Sequence, residues 1–195
     1  MRSVLIIDAA YAMKAAAPGR FDVLKLKEAL ERRNGAPFDE SYYLNSTPSP
    51  PSDQQDAFHN WIKSAAPRGP RMRVQLYKIK DLHCVCPQCS HRFERAVQKG
   101  VDVGIATLII KLASQNRYDR LILIAGDGDF EDAIDYVKSE LHKEIWIAGF
   151  PNSVSADLQS YSDRVLWISD FWSEIERSAS TSANALALDQ GASEV

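Results

Sequence analysis

Hydrophobic and polar positions along the chain fall into two alternating patterns. Val4–Ile7 and Leu121–Ala125 are apolar at every position, as strands buried on both faces are. Ser41–Leu44, Arg73–Tyr77, Glu144–Ala148 and Val165–Ile168 read as further strands. Between them, Phe21–Arg33 carries Leu24, Ala29 and Leu30 at helical spacing and meets a stop at Asn34-Gly35. Asp53–Ser64 reads as a helix with Asp53 at its N-cap, and Gly100–Ser114 as a long apolar helix. Shorter helices are predicted near Phe130–Glu140, Val154–Ser160 and Phe171–Arg177. Such alternation predicts an α/β fold, a mainly parallel sheet covered by helices on both faces. In such sheets the working site lies beyond the carboxyl ends of the strands.

Proline marks the connections. Asn45–Asp53 holds three prolines and Ala66–Arg71 two, so both are predicted to be exposed loops. From Ser178 onward the chain is small and polar without an aromatic residue, which predicts a disordered tail over 178–195 behind a domain of residues 1–177. With 195 residues, 45% hydrophobic and 25% charged, the composition is ordinary for a globular domain and excludes a collagen-like or wholly disordered chain. No apolar run approaches the roughly 18 residues of a membrane helix. Asp8 interrupts the N-terminal apolar run too early for a signal peptide. The three cysteines all fall within Cys84–Cys89, which fits a reducing compartment rather than a disulfide framework. A cytoplasmic location is expected.

The strand-end rule singles out Asp8, directly after the first strand, and Asp127 and Asp129, directly after Leu121–Ala125. Asp102 opens the long apolar helix, where the helix dipole favours a carboxylate. Four carboxylates converging on one cleft repel one another unless a cation neutralises them, and Mg²⁺ or Mn²⁺ suits an oxygen-only donor set. Taken singly, each aspartate is also a turn former or a helix cap, Asp129 most of all. On that reading Gly126 and Gly128 supply turn geometry.

These residues carry a family resemblance. Asp8 after the first strand, Lys99-Gly100-Val101-Asp102-Val103, and Ala125-Gly126-Asp127-Gly128-Asp129-Phe130 together resemble the NYN domain, including its LabA-like members, within the PIN-like nuclease superfamily. The resemblance runs from Val4 to Ile168. It implies a three-layer α/β/α PIN-like (Rossmannoid) fold and metal-dependent hydrolysis of single-stranded RNA, leaving 5′-phosphate and 3′-hydroxyl ends. It also implies that Asp8, Asp102, Asp127 and Asp129 hold Mg²⁺ or Mn²⁺ and carry the catalysis. Two positions depart from the family pattern: Tyr11 stands where an asparagine is expected, and Leu108 where another acid is common. Those departures support the rival reading, a catalytically weakened RNA-binding or protein-interaction module on the same fold. A Rossmann-type nucleotide binder fares worse, because no glycine-rich phosphate loop follows the first strand.

Charge and soft ligands change the picture at one segment, a Cys/His-rich basic insertion at about residues 80–98. Pro67–Lys99 holds eight basic residues against two acids, a net +6, whereas the other 15 basic and 24 acidic residues leave −9 on the rest. Arg71, Arg73, Lys78, Lys80, Arg92, Arg95 and Lys99 are therefore candidate RNA contacts, with Tyr77 and Phe93 as candidate stacking partners. Within the same segment Cys84, Cys86, Cys89 and His91 have ligand types and spacing for a structural Zn²⁺, or they decorate an exposed loop or β-hairpin, which would equally serve a homodimer. His59 and His142 are isolated and expected to face solvent.

Overall fold

The computed structural model describes residues 1–97 and 100–177. Lys99 and the expected tail over 178–195 lie outside them. The elements run β1 (Ser3–Asp8), α1 (Ala9–Ala16), α2 (Val23–Asn34), β2 (Glu40–Thr47), α3 (Asp53–Lys63), β3 (Arg73–Lys78), β4 (Lys80–Val85), β5 (Arg92–Val97), α4 (Val101–Ser114), β6 (Arg120–Ile124), α5 (Glu131–Ser139), β7 (Glu144–Gly149), α6 (Ala156–Tyr161), β8 (Arg164–Trp167) and α7 (Trp172–Ile175).

Six strands form one sheet in the order β3-β2-β1-β6-β7-β8, every neighbouring pair parallel. Because side chains alternate across a strand, each apolar strand feeds two cores. Leu5, Ile7, Ile122 and Ile124 face the layer of α1, α2, α3 and α7. Val4, Ile6, Leu121 and Leu123 face α4, α5 and α6. All eight are buried, each contributing roughly 1.5–3 kcal/mol of burial free energy. The three-layer α/β/α fold with a mainly parallel sheet is the one expected. β4 and β5 stand apart as an antiparallel hairpin inserted between β3 and α4. Among the described residues no helix is long and apolar enough to cross a membrane.

Local signals held at most boundaries. Gly35 ends α2 in the left-handed conformation at φ 82°, where a side chain would be strained. At α3 the cap is Ser52, one residue before the expected Asp53. The Ser52 hydroxyl accepts from the Gln55 N–H at 3.3 Å and the Gln55 side chain accepts from the Ser52 N–H at 3.0 Å. That reciprocal pair satisfies two donors at the start of the helix. Two features escaped the pattern. Helix α1 is short and alanine-rich, with only Ala9, Ala12 and Ala16 buried, so its apolar stripe is faint. Strand β2 runs on into the proline-rich segment, burying Ser46 and Thr47 in what reads as a loop.

Leu108 settles into the α4 core beside Ile105, Ile109 and Leu112 and is only 7% exposed. An acid there enters an apolar layer rather than a site. Leu108→Asp is expected to destabilise the domain by on the order of 4 kcal/mol, read from the urea midpoint. A midpoint close to that of the wild type would mean that α4 turns this position toward solvent.

Candidate active site

Strand order reverses between β1 and β6, with connections leaving to opposite sides. A crevice opens at such a switch point, beyond the carboxyl ends of the two strands. Asp8 is the last residue of β1, and Asp127 lies three residues past the end of β6. Asp102 approaches from the first turn of α4. All three line one cleft of about 1160 Å³, which α1, the end of β2 and α3 complete.

The environments of the three acids differ. Asp8 is buried, with one carboxyl oxygen accepting from the Tyr11 N–H at 3.1 Å as the cap of α1. Burial pushes its carboxyl above the ordinary value of 3.8; the N–H groups of Tyr11 and Ala10 oppose the rise, while the charges of Asp102 and Asp127 add to it. Asp102 and Asp127 are exposed. Asp129 is exposed too and does not line the cleft; its N–H donates to Asp127 Oδ1 at 3.2 Å and fixes that carboxylate.

The donor set suits a hard divalent cation: oxygen only, with a buried carboxyl whose ionisation its neighbours oppose. As the side chains stand, no three His, Cys, Asp or Glu groups among the described residues lie close enough together to hold one metal ion.

Tyr11 occupies the position where an asparagine is expected, and it acts as a brace. Its hydroxyl shares a 2.7 Å hydrogen bond with Ser153 Oγ and accepts from the Phe150 N–H at 3.2 Å. The ring lies over Gly126, where an added Cβ would strike both the ring and the Ser153 carbonyl. At Gly149 a Cβ would strike the Tyr11 hydroxyl and Val154. Gly126 is therefore required for space. Its φ is not positive, so turn geometry is not what calls for it.

The cleft also carries groups the sequence did not single out. Asn45, Ser46, Gln55 and His59 line it, together with Lys14, Arg20 and Arg177. His59 is 3% exposed rather than solvent-facing, and its Nδ1 has no hydrogen-bond partner; the Ser46 hydroxyl is likewise buried and unpartnered. Burial pushes the His59 imidazole below its ordinary value, Lys63 adding to the shift and Asp56 opposing it. A strand followed by an unrecognised helix was the missing signal for Lys14, because α1 brings it over the cleft.

The candidate basic residues are dispersed. Arg73 stands at the amino end of β3, the edge away from the acids, where it pairs with Glu40 at 2.7 Å and donates to the Tyr42 hydroxyl at 2.9 Å. Arg71 lies in the loop just before it. Lys78 closes β3 at the same edge as the acids and is exposed. Lys80, Arg92 and Arg95 belong to the hairpin, Arg92 exposed at its tip. Tyr77 packs against Gly100 and Gly104 at the start of α4 and is half-buried, whereas Phe93 is 45% exposed. His142 faces solvent as expected.

An open parallel sheet with acids gathered at its switch point defines a nuclease-like α/β domain. The chain belongs to the NYN family of the PIN-like superfamily: the NYN domain model matches residues 2–170. It is also similar to the crystal structure of a protein of unknown function, VPA0982, from Vibrio parahaemolyticus, at 19% identity and a TM-score of 0.66, covering 90% of this chain and 96% of that one. That likeness shows the fold. No curated protein matches the chain at a significant level.

Two outcomes follow from this geometry. Tyr11→Phe keeps the ring and loses both hydroxyl contacts, so it is expected to cost about 1–2 kcal/mol in urea unfolding. In chelator, Asp8→Asn retains a capping side chain and removes a carboxyl whose charge the fold disfavours. Because the folded carboxyl titrates above its unfolded value, its penalty is absent below pH 3.8 and complete above the raised value. The variant should therefore melt above the wild type at pH 7, and the gap should close on acidification. A gap that widens in acid would contradict this assignment.

Proposed function

We propose that this NYN domain is a metal-dependent ribonuclease that hydrolyses phosphodiester bonds of single-stranded RNA in the cleft at the β1/β6 switch point. The observation that carries the reading is the grouping of Asp8, Asp102 and Asp127 on one cleft, with Asp8 buried and its ionisation opposed by the other two. Those three would hold Mg²⁺ or Mn²⁺. When bound, the ion supplies charge neutralisation for the phosphoryl transition state and makes a water more acidic.

The protein's own groups do the rest. Asp129 acts through Asp127, whose carboxylate its N–H orients. Lys14, Arg20 and Arg177 line the same cleft and attract the phosphates on either side of the scissile bond. Lys78 and Arg92, both exposed, extend the basic surface beyond it, and Lys80, Arg95 and Lys99 remain candidate RNA contacts by sequence. The polar wall of Asn45, Gln55 and His59 faces the nucleotide itself. Water attacks phosphorus, the bond to the 3′ oxygen breaks, and the products carry a 5′-phosphate and a 3′-hydroxyl.

A second reading, a catalytically weakened RNA-binding or protein-interaction module, is favoured by Tyr11 and Leu108. The first is committed to bracing a loop and the second to the core.

Cleavage of an end-labelled single-stranded RNA with Mn²⁺ separates the two. The ribonuclease reading expects Asp127→Asn and Asp102→Asn each to lose about 100-fold or more, removal of a charge-stabilising group at the reacting centre. Asp129→Ala should lose far less, because its contribution comes from the backbone. Cleavage that is equal in wild type and Asp127→Asn, or absent from a folded wild type that still binds RNA, would favour the second reading.

A further inference from the structure

The β4–β5 hairpin ends in a turn that the nuclease reading does not use. Cys86-Pro87-Gln88-Cys89 occupies its tip. The Cys86 N–H donates to the His91 carbonyl at 2.9 Å, and the Ser90 N–H returns to the Cys86 carbonyl at 2.9 Å, with Ser90 at φ 56°. All three cysteines are free, and Cys89 is exposed.

The other two candidate ligands do not close a site around this pair. The Cys84 thiol points back along its own strand, donating to the Leu82 carbonyl at 3.6 Å. Among the described residues no three ligand groups, His91 included, come within reach of one ion. Zn²⁺ in a structural site takes four ligands, and two thiolates leave it half filled. We propose that Cys86 and Cys89 are one half of a tetrathiolate zinc site, and that the same pair in a second copy of this chain completes it, joining two NYN domains hairpin to hairpin.

A two-fold axis through the ion makes the contact self-complementary, so it closes at the dimer. Binding one Zn²⁺ releases four thiol protons and leaves a net charge of −2 at the site. Arg92, exposed beside the tip in each copy, offsets that charge. Leu82 and Phe93 are 38% and 45% exposed on the hairpin face that carries Cys84, an apolar surface that the second hairpin would cover.

Zinc content and solution mass of the purified full chain, kept reduced, test this directly. The expected result is a dimer with about 0.5 zinc per chain, one four-ligand ion for two copies. A strong chelator should convert it to monomer, and added Zn²⁺ should restore it. Cys86→Ser should lose both zinc and dimer, while Cys84→Ser and His91→Ala keep both. The chelator arm reads the same property in the unmutated chain, so the proposal remains falsifiable if Cys86→Ser misfolds. One zinc per monomer, lost in Cys84→Ser or His91→Ala, would overturn the shared site in favour of a single-chain one. A dimer that survives the chelator, or a zinc-free protein with a Cys86–Cys89 disulfide, would also overturn it. None of these readouts depends on RNA cleavage.

Discussion

Parallel pairing of β1 with β6 at the centre of the sheet places the end of an all-apolar strand beside a second one, and Asp8 is the residue on which the first ends. Its carboxyl is drawn into the interior by the strand it terminates, capped by the N–H of Tyr11 and opposed by Asp102 and Asp127. A buried carboxylate with two acidic neighbours is an unfavourable arrangement for stability alone. The cores on both faces of the sheet supply the stability that permits it. This tension organises the cleft, since it disfavours like charge there and favours a cation.

The departures from the family pattern gain a physical meaning from their surroundings. Tyr11 does not simply replace a polar group near the acids. It reaches across the crevice to hold the Phe150–Ser153 loop, and glycines at 126 and 149 leave room for it. Leu108 likewise joins a continuous apolar face on α4. Both residues have been absorbed into packing, so exchanging either one toward the family pattern acts first on stability.

Charge also reads differently in three dimensions. A basic stretch that is continuous in sequence is divided in space: β3 carries Arg73 at one edge of the sheet and Lys78 at the other, about the length of a strand apart. The hairpin takes its own share away from the sheet. Meanwhile Arg177, far away in sequence, joins Lys14 and Arg20 along the cleft that holds the acids.

What the sequence by itself determined is the layered α/β fold and the placing of Asp8 and Asp127 at one edge of the sheet, because a run such as Leu121–Ala125 can be buried on both faces only in a covered parallel sheet, and strand ends in such a sheet share an edge; Asp102, at a helix start, was grouped with them by the family resemblance, and the three line one cleft. It also indicated the hairpin and the clustered cysteines. Helix α1 was not legible, since alanines mark no clear stripe, and with it went Lys14. His59 was not legible because a single imidazole carries no periodicity, and only the packing of α3 on β2 buries it. Tertiary structure alone decided that Asp129 lies outside the cleft, that Arg73 turns to Glu40, and that Gly126 is required for the ring of Tyr11. Each of these depends on which distant segments meet. Local pattern records the burial that each segment needs; the contact that satisfies it comes from elsewhere in the chain.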